Sequence, residues 1–233
     1  VTSGAYLTLV LMGALGAVLG GGSSLAPFSV TAGLMMALVV ALLATGVLAI
    51  ALDFALFRPL RRRGATIIII VIASFGASLA LRSLIEFVFT ARPQYFTREL
   101  QIAMPLGGGV RATPDQLGIL ALTALLVLAT HLILTRTDIG RAMRAVAENP
   151  ALARVAGIDV EQVIRVTWLL GGALACAGGF AAGLLVQIRP YMGFDLLLPL
   201  FAAAILGGIG SVPGAMLGGL LVGICDALAA QTV

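Results

Sequence analysis

The sequence is built from apolar runs, most of which are about as long as a helix that crosses a lipid bilayer. Such a helix needs about 20 apolar residues, because the hydrocarbon core is about 30 Å thick and a helix rises about 1.5 Å per residue. The runs are separated by polar segments and lie at residues 1–20, 28–57, 65–90, 114–135, 163–188, 196–206 and 215–230. This pattern predicts an all-α, polytopic transmembrane helix bundle with about six to seven spans.

The composition excludes several other classes of protein. Of the 233 residues, 61% are hydrophobic and 10% are charged, whereas soluble domains carry about 25% charged residues. A soluble domain of this size still exposes about a quarter to a third of its unfolded surface, which this chain could not cover with polar groups. An ordinary soluble enzyme, a disordered regulator and a nucleic-acid-binding protein are therefore excluded. We expect a single transmembrane domain over residues 1–233, with no separate soluble domain.

The run at 196–206 is the exception to the length rule. Eleven residues are too few to cross a bilayer alone, so this run either borrows residues from the turns beside it or forms a broken, re-entrant helix. Irregular backbone at membrane depth is tolerated where protein or a watery cavity covers it. The sequence leaves both structures open.

Arginine positions predict which loops face the cytoplasm. Cytoplasmic loops of membrane proteins carry an excess of basic residues. One set of alternate loops, at 58–64, 136–162 and 207–214, holds eight of the fourteen basic residues, all of them arginine. The other set, at 20–27, 91–113 and 189–195, holds four. We therefore expect the first set to be cytoplasmic.

The polar segment at 136–162 has the pattern of two short helices joined by a rigid elbow. Residues 140–148 are strong helix formers, and Arg144 and Glu148 are spaced to pair on one helix face. Asn149 and Pro150 are typical of the N-cap and first position of a second helix, and Gly157 is suited to a left-handed cap at its end. Such an ordered loop indicates either a docking surface for a soluble partner or an amphipathic helix on lipid head groups.

Two charged residues lie within the third apolar run. Arg82 and Glu86 are four residues apart and therefore share a helix face, so they can pair. Ionisable residues inside a membrane are costly and are often functional. The alternative is that this pair lies near the outer end of the span and anchors the helix there.

Glycine and alanine recur at intervals of about four in the later runs. Small residues at this spacing form a ridge along which another helix can approach closely, and glycine-lined interfaces can also slide or rock. The candidates for helix packing, or for a transport path, are Gly171, Ala175, Gly179, Gly183, Gly207, Gly208, Gly210, Ser211, Gly214 and Gly218.

No set of residues in the sequence has the pattern of a catalytic or metal site. The single histidine, His131, has no acid or nucleophile near it in sequence. We therefore expect no catalytic residues, no metal ligands and no directly bound cofactor, and we interpret the chain as non-enzymatic by itself.

Two long motifs resemble the permeases for branched-chain amino acids of ATP-binding-cassette importers. The family's cytoplasmic signature, roughly T-x-x-G-R-A-x-R-A followed by A-x-x-x-G-I, is similar to residues 137–158, and its G-G-x-G-S-x-x-G-A-x-x-G-G motif is similar to residues 207–219. Residues 3–6 and 57–60 also resemble the family. The matching positions in the cytoplasmic signature are Thr137, Gly140, Arg141, Ala142, Arg144, Ala145, Ala153, Gly157 and Ile158.

The resemblance implies an H-type membrane subunit of an importer in a bacterial inner membrane. Its expected partners are a second permease subunit, cytoplasmic ATPase subunits that bind ATP and Mg²⁺, an extracytoplasmic solute-binding protein and the lipid bilayer, with no nucleic acid. The ATPase would dock on the cytoplasmic coupling loop, 136–162. The docking candidates are Thr137, Gly140, Arg141, Arg144, Glu148, Asn149, Pro150, Ala153 and Gly157.

The sequence leaves several alternatives open. The solute could instead be urea, a short amide or a simple sugar, which permeases of the same broad family carry. An ion-coupled secondary transporter is a rival function, although Asp53, Glu86 and Asp226 all lie toward the ends of spans. A membrane scaffold without transport activity is another.

Family members usually have a further span at each end, so we expect this chain to be truncated at both ends. Whether the permease core is a homodimer or a heterodimer is left open.

Overall fold

The computed structural model describes residues 1–19, 32–90, 92–96, 104–107, 110–208 and 210–232. Eleven α-helices, one π-helical turn and two short strands lie in these ranges. They are α1 Thr2–Leu19, α2 Ala32–Leu52, the π turn Asp53–Phe57, α3 Arg58–Arg62, α4 Ile67–Phe89, β1 Met104–Gly107, β2 Val110–Ala112, α5 Pro114–Arg136, α6 Asp138–Glu148, α7 Pro150–Val155, α8 Val160–Leu185, α9 Met192–Asp195, α10 Leu197–Gly207 and α11 Val212–Thr232. The turn expected at 20–27 lies outside the described residues.

The predicted class, a polytopic helix bundle, is confirmed. Five helical segments in the described residues are long and apolar enough to cross a membrane, and two shorter apolar helices accompany them. The five are Gly33–Arg62, Ile67–Phe89, Pro114–Arg136, Val160–Leu185 and Pro213–Ala230, and the shorter two are Thr2–Ala14 and Met192–Gly207. The strands β1 and β2 form a small antiparallel hairpin in the loop expected between the third and fourth spans.

Helices α1, α2 and α8 form the packed centre of the described structure. Small residues allow close contact: a Cβ on Gly172 of α8 would lie 2.9 Å from the Cα of Gly46 on α2, and Gly4 of α1 faces Cys176 of α8. The largest buried side chains, including Leu34 and Phe180, lie in the same region. Since lipid tails are as apolar as leucine, such close packing stabilises a bundle where hydrophobic burial alone does not.

The second apolar run continues further than its sequence indicates. The arginine cluster that begins at 58 is predicted as a loop, and this is wrong, because the helix passes through the π turn and α3 to Arg62. An ion pair bridges the two ends of this extension. The carboxylate of Asp53, whose side chain is 6% exposed, accepts a hydrogen bond from Nη2 of Arg61 at 3.1 Å, and its Oδ1 lies 2.7 Å from Nη1.

The C-terminal ends of α4 and α8 are joined by backbone pairing. Gln94 and Ile188 exchange hydrogen bonds of 3.0 and 2.8 Å, and the ring of Phe96 packs on that of Phe180 at 5.4 Å between centroids. The segment after α4 is therefore attached to the central helices.

The run at 196–206 forms helix α10, preceded by the short α9. The apolar helix Met192–Gly207 is about 24 Å long at 1.5 Å per residue, which is less than the hydrocarbon thickness of about 30 Å. After a turn at Gly208 and Gly210, which have φ of +86° and +100°, the chain folds back along α10 as α11. We call α10 and α11 together the C-terminal hairpin.

Candidate functional site

The polar segment at 137–159, which we call the coupling segment, leaves the membrane helix α5 through a tight bend. Thr137 caps α6: its hydroxyl donates to the carbonyl of Ile133 and accepts from the N–H of Gly140 at 3.2 Å. A Cβ on Gly140 would collide with the carbonyl oxygens of Ile133 and Leu134. The bend therefore requires glycine at this position.

A second cap fixes the elbow between α6 and α7, as the sequence predicts. The side-chain oxygen of Asn149 accepts from the backbone N–H groups of Ala151 and Leu152, each at 3.0 Å. Pro150 occupies the first helical position, where its missing N–H costs nothing. The elbow is thus held by hydrogen bonds that satisfy the free donors at the start of α7.

The end of α7 is fixed by glycine and the start of α8 by an aspartate. Gly157 has φ of +84°, and the N–H groups of Gly157 and Ile158 donate to the carbonyls of Arg154 and Ala153 at 3.1 and 3.0 Å. This confirms the predicted left-handed cap. The side chain of Asp159 then caps α8. Sequence reasoning missed this cap, although aspartate followed three residues later by Gln162 has the spacing of a capping box at a helix start.

The coupling segment exposes apolar side chains. On α7, Ala153 is buried, whereas Leu152 and Val155 are 66% and 86% exposed. Arg141 forms an exposed ion pair with Asp138 on α6. Charged and large apolar groups therefore lie together on the surface of one rigid, capped unit.

The prediction that Arg144 and Glu148 form a pair is wrong. Within the described part of the chain these two side chains form no ion pair, and Arg144 instead lines a cavity beside α6. The spacing allowed the pair, but exposed pairs of this kind contribute only about 0.3–0.5 kcal/mol, so contacts with neighbouring helices decide the side-chain position.

Ion pairs attach the arginine cluster to α8. Arg58 and Arg62 both face Glu161, with N–O distances of 3.0 and 3.9 Å, and the ring of Phe57 stacks on Trp168 at 5.1 Å. The end of α3 and the start of α8 therefore lie on the same side as the coupling segment. This agrees with the set of loops that the arginine count places together.

A cavity of about 810 Å³ lies between α2, α6 and α8. Its walls are mainly apolar, and Arg144 is the one charged side chain among the described residues that line it. Thr45 also lines it; this residue is 6% exposed, and its Oγ1 is itself buried and has no hydrogen-bond partner in the described residues.

The intramembrane pair Arg82 and Glu86 forms as predicted, with 3.2 Å between Nη2 and Oε1. The guanidinium also lies 3.4 Å from the ring centroid of Tyr191, which favours a cation by electrostatic attraction to the ring face. Arg82 lines a second cavity of about 330 Å³ on the side of α9. The pair's role, whether in anchoring or in transport, stays a prediction.

The predicted small-residue ridge of α8 does not act as one packing surface. Gly179 and Gly183 lie against neighbouring groups, but a Cβ on Gly171 would meet nothing within 4 Å, and Ala175 lines the large cavity. The contact with α2 is made by Gly172, one residue along, which the sequence analysis did not single out. One residue rotates the helix face by about 100°, so spacing alone did not identify the face that packs.

Glycines hold the C-terminal hairpin together. Gly207 and Gly214 face each other so closely that a Cβ on either would collide with the other's backbone, and Gly218 packs against the backbone of Ala203. Ser211 accepts from the N–H of Gly214 at 3.2 Å. These glycines of the second motif therefore serve helix packing, whereas Gly208 and Gly210 form the turn between the helices.

The described residues contain no group of three or more His, Cys, Asp or Glu side chains placed to hold a metal ion. The candidate site therefore consists of the coupling segment and the cavity beside it.

Comparison with known proteins identifies relatives over most of the chain. The family model described as "Branched-chain amino acid transport system / permease component" matches residues 1–233. The high-affinity branched-chain amino acid transport system permease protein LivH of Escherichia coli K12 is 34% identical over 177 residues, which cover 74% of this chain and 57% of the relative. The chain matches somewhat more than half the length of that relative.

Two further relatives carry similar descriptions. The high-affinity branched-chain amino acid transport system permease protein BraD of Pseudomonas aeruginosa is 31% identical over 203 residues, covering 85% of this chain and 66% of the relative. A probable branched-chain amino acid transport permease protein LivH of Methanocaldococcus jannaschii is 32% identical over 179 residues, covering 73% of this chain and 55% of the relative. No solved structure gives a significant match.

Proposed function

The chain belongs to the family of branched-chain amino acid transport system permease components, and we propose that it is a membrane-spanning subunit of an ATP-driven importer. In this proposal it carries branched-chain amino acids inward across a bacterial inner membrane. Family membership and the five apolar helices identify a multi-pass membrane protein. The solute, the membrane and the partners are part of the proposal.

The coupling segment is the observation that carries the proposal. Four capping groups hold it, Thr137, Asn149, Gly157 and Asp159, so it can transmit a push from a partner without first folding. Leu152 and Val155 are exposed on its surface beside charged side chains. Apolar groups rimmed by polar ones are typical of protein interaction sites. We infer that a cytoplasmic ATPase subunit covers this surface.

ATP chemistry belongs to the partners in this proposal. The sequence contains no G-x-x-x-x-G-K-[ST] motif and no lysine at all, and the Lys of that motif is what reaches the β- and γ-phosphates of a bound nucleotide. We propose that ATP and Mg²⁺ bind to two ATPase subunits, and that this chain assembles with a second permease subunit and an extracytoplasmic binding protein. The chain itself then has no catalytic role and binds no cofactor directly.

The proposal is tested by co-expressing the importer genes and purifying this chain in mild detergent. We expect the ATPase to co-purify with the wild-type chain, and leucine uptake into proteoliposomes to depend on ATP. The double variant Arg141→Glu/Leu152→Asp reverses one charge and replaces an apolar side chain with a charged one in the proposed interface. It should reduce co-purified ATPase at least tenfold, which corresponds to about 1.4 kcal/mol of binding free energy. Arg63→Glu, an exposed change outside the segment, is the matched control.

Two results would reject the proposal. Normal ATPase binding and uptake in the Arg141→Glu/Leu152→Asp variant would show that the segment does not dock the ATPase, and binding of the isolated segment to lipid vesicles would then favour an interfacial helix. Uptake that follows an ion gradient and ignores ATP would favour a secondary transporter. The structure gives that rival little support, because the carboxylates of Asp53 and Glu86 are each paired with an arginine.

A further inference from the structure

The turn between α3 and α4 places two arginines at a fixed point of the backbone. Helix α3 ends in a left-handed glycine cap, in which Gly64 has φ of +67° and its N–H donates to the carbonyl of Arg61 at 3.1 Å. Such a cap satisfies carbonyl groups at the end of a helix and fixes the direction in which the chain leaves it. Arg62 and Arg63 lie directly before this glycine, so the cap holds the backbone that carries them.

The arginine cluster at 58–63 has more positive charge than its neighbours balance. It contains four arginines, whereas two carboxylates of the described residues, Asp53 and Glu161, are paired with it. Arg62 lies 3.9 Å from Glu161, too far for a hydrogen bond, and its side chain is 63% exposed. Arg63 is exposed, and no carboxylate among the described residues pairs with it. The excess charge therefore lies on the exposed side of the turn.

Exposed apolar side chains lie beside this charge on both membrane helices. Phe54, in the π turn, is 65% exposed, and the guanidinium of Arg58 lies 5.3 Å from its ring centroid. Ile67 and Ile68, at the start of α4, are 77% and 68% exposed, and the π turn contacts α4. The two helical segments that meet at this turn are long and apolar enough to cross a membrane. Cations and lipid-facing surface are therefore adjacent at one end of two spans.

We propose that this turn binds an anionic phospholipid of the cytoplasmic leaflet, with the phosphate at Arg62 and Arg63 and the acyl chains on Phe54, Ile67 and Ile68. Guanidinium groups hold phosphate oxygens through paired hydrogen bonds. Clusters of about four to eight basic residues at the cytoplasmic end of a span are typical of anionic-lipid sites. A lipid can cover the apolar side chains as well as the arginines, whereas a soluble partner reaches the arginines alone.

The proposal is tested by native mass spectrometry of the whole chain in mild detergent. The chain is mixed with equal amounts of anionic phosphatidylglycerol and zwitterionic phosphatidylcholine that have identical acyl chains. Near a membrane surface each arginine favours an anionic lipid by about fivefold. We therefore expect Arg62→Gln/Arg63→Gln to lower the ratio of bound phosphatidylglycerol to phosphatidylcholine at least about fivefold. A ratio equal to that of the wild-type chain would overturn the proposal.

Two further variants separate a binding site from a general effect of positive charge. Arg62→Lys/Arg63→Lys keeps both charges and should retain most of the preference for phosphatidylglycerol. Arg154→Gln/Arg165→Gln removes the same charge from exposed arginines of α7 and α8 and should leave the ratio unchanged. An equal loss of preference in this control would show that net charge alone sets the ratio, which would also overturn the proposal.

A second measurement locates the lipid while all the arginines stay in place. The chain has a single tryptophan, Trp168, so Trp168→Phe/Phe54→Trp puts one fluorescent side chain on the proposed acyl-chain surface. In phosphatidylcholine vesicles, a small fraction of brominated phosphatidylglycerol should quench it more strongly than the same fraction of equally brominated phosphatidylcholine. Leu217→Trp in the same background is the control, because Leu217 is 65% exposed and α11 contains no arginine. Equal quenching by the two lipids at Phe54→Trp would overturn the proposal.

A protein partner is the competing occupant of these arginines. In the co-expressed importer, Arg62→Gln/Arg63→Gln should leave the amount of co-purified ATPase at the wild-type level. Loss of bound ATPase together with an unchanged lipid ratio would assign the turn to a protein interface and overturn the proposal. Neither lipid measurement requires uptake or a bound ATPase, so failure of the lipid site would leave the proposed function intact.

Discussion

The coupling segment and the C-terminal hairpin each connect two longer elements, but different interactions hold them together. In the coupling segment, side chains cap the helix ends at Thr137, Asn149 and Asp159. In the hairpin, backbone lies directly on backbone where Gly207 faces Gly214. Caps are polar, local and suited to a water-exposed segment, whereas glycine contacts need no water and suit a lipid environment.

This difference predicts how each region responds to substitution. Removing a cap loses one or two hydrogen bonds and leaves the rest of the segment in place. Adding one carbon between two touching backbones displaces a whole helix. The C-terminal hairpin should therefore tolerate far less change than the coupling segment.

The largest effect is expected in the hairpin. A Cβ on Gly207 would collide with the carbonyl of Gly214, so Gly207→Val should destabilise the protein by about 3 kcal/mol or more, the upper part of the range for overpacking. Thermal unfolding in detergent measures it. Gly223→Val, where a Cβ would meet nothing within 4 Å, is the control. Equal melting temperatures for the two variants would contradict the account.

A somewhat smaller effect is expected where α2 meets α8. A Cβ on Gly172 would lie 2.8 Å from the Cβ of Ala49, so Gly172→Val should destabilise by about 1–3 kcal/mol. Gly171→Val, its neighbour, should leave the melting temperature unchanged because a Cβ there would meet nothing within 4 Å. If Gly171→Val were less stable than Gly172→Val, the face of α8 that carries Gly171 would be the one that packs against α2.

In the coupling segment, Asn149→Ala should destabilise α7 by about 1 kcal/mol, the usual cost of losing an N-cap. The backbone N–H groups of Ala151 and Leu152 lose their acceptor, so their hydrogen exchange should speed up while exchange in α8 does not change. Asn149→Asp keeps an acceptor oxygen and is the control. Unchanged exchange in Asn149→Ala would show that the elbow does not depend on its cap.

The smallest effect is expected for the ion pairs at the start of α8. Glu161 is 42% exposed and its partner Arg58 is 30% exposed, so solvent screens their interaction. Glu161→Gln should change stability by no more than about 0.5 kcal/mol, measured as a shift in melting temperature at low and high salt. A large loss of stability that does not depend on salt would show that this pair is buried. The coupling segment and the C-terminal hairpin would then differ less than the account states.

The parts of the structure that follow from local rules could be predicted from the sequence. The apolar runs, the elbow at Asn149 and Pro150 and the left-handed cap at Gly157 each depend on residues within one or two helical turns. Asp159 belongs to the same class and could have been found by the same kind of rule, since Gln162 follows it at capping-box spacing.

Interactions between distant residues could not be predicted. Glu161 lies more than a hundred positions from Arg58, and nothing in its own neighbourhood indicates that partner. The packing face of α8 is a similar case, because Gly171 and Gly172 differ only in which helix lies opposite. The position of Arg144 also depends on where α6 lies against α2 and α8, so its place in the cavity emerges only from the folded chain.

The central claim is that the coupling segment docks an ATPase subunit, and cross-linking from Val155 tests it most directly. This side chain is 86% exposed on α7, so a photoreactive amino acid can replace it without disturbing the caps. In the co-expressed importer we predict a cross-link to the ATPase subunit, identified by mass spectrometry, and none from the same group at Ile67 on α4, which is 77% exposed. Cross-links from position 155 to lipid alone would contradict the account.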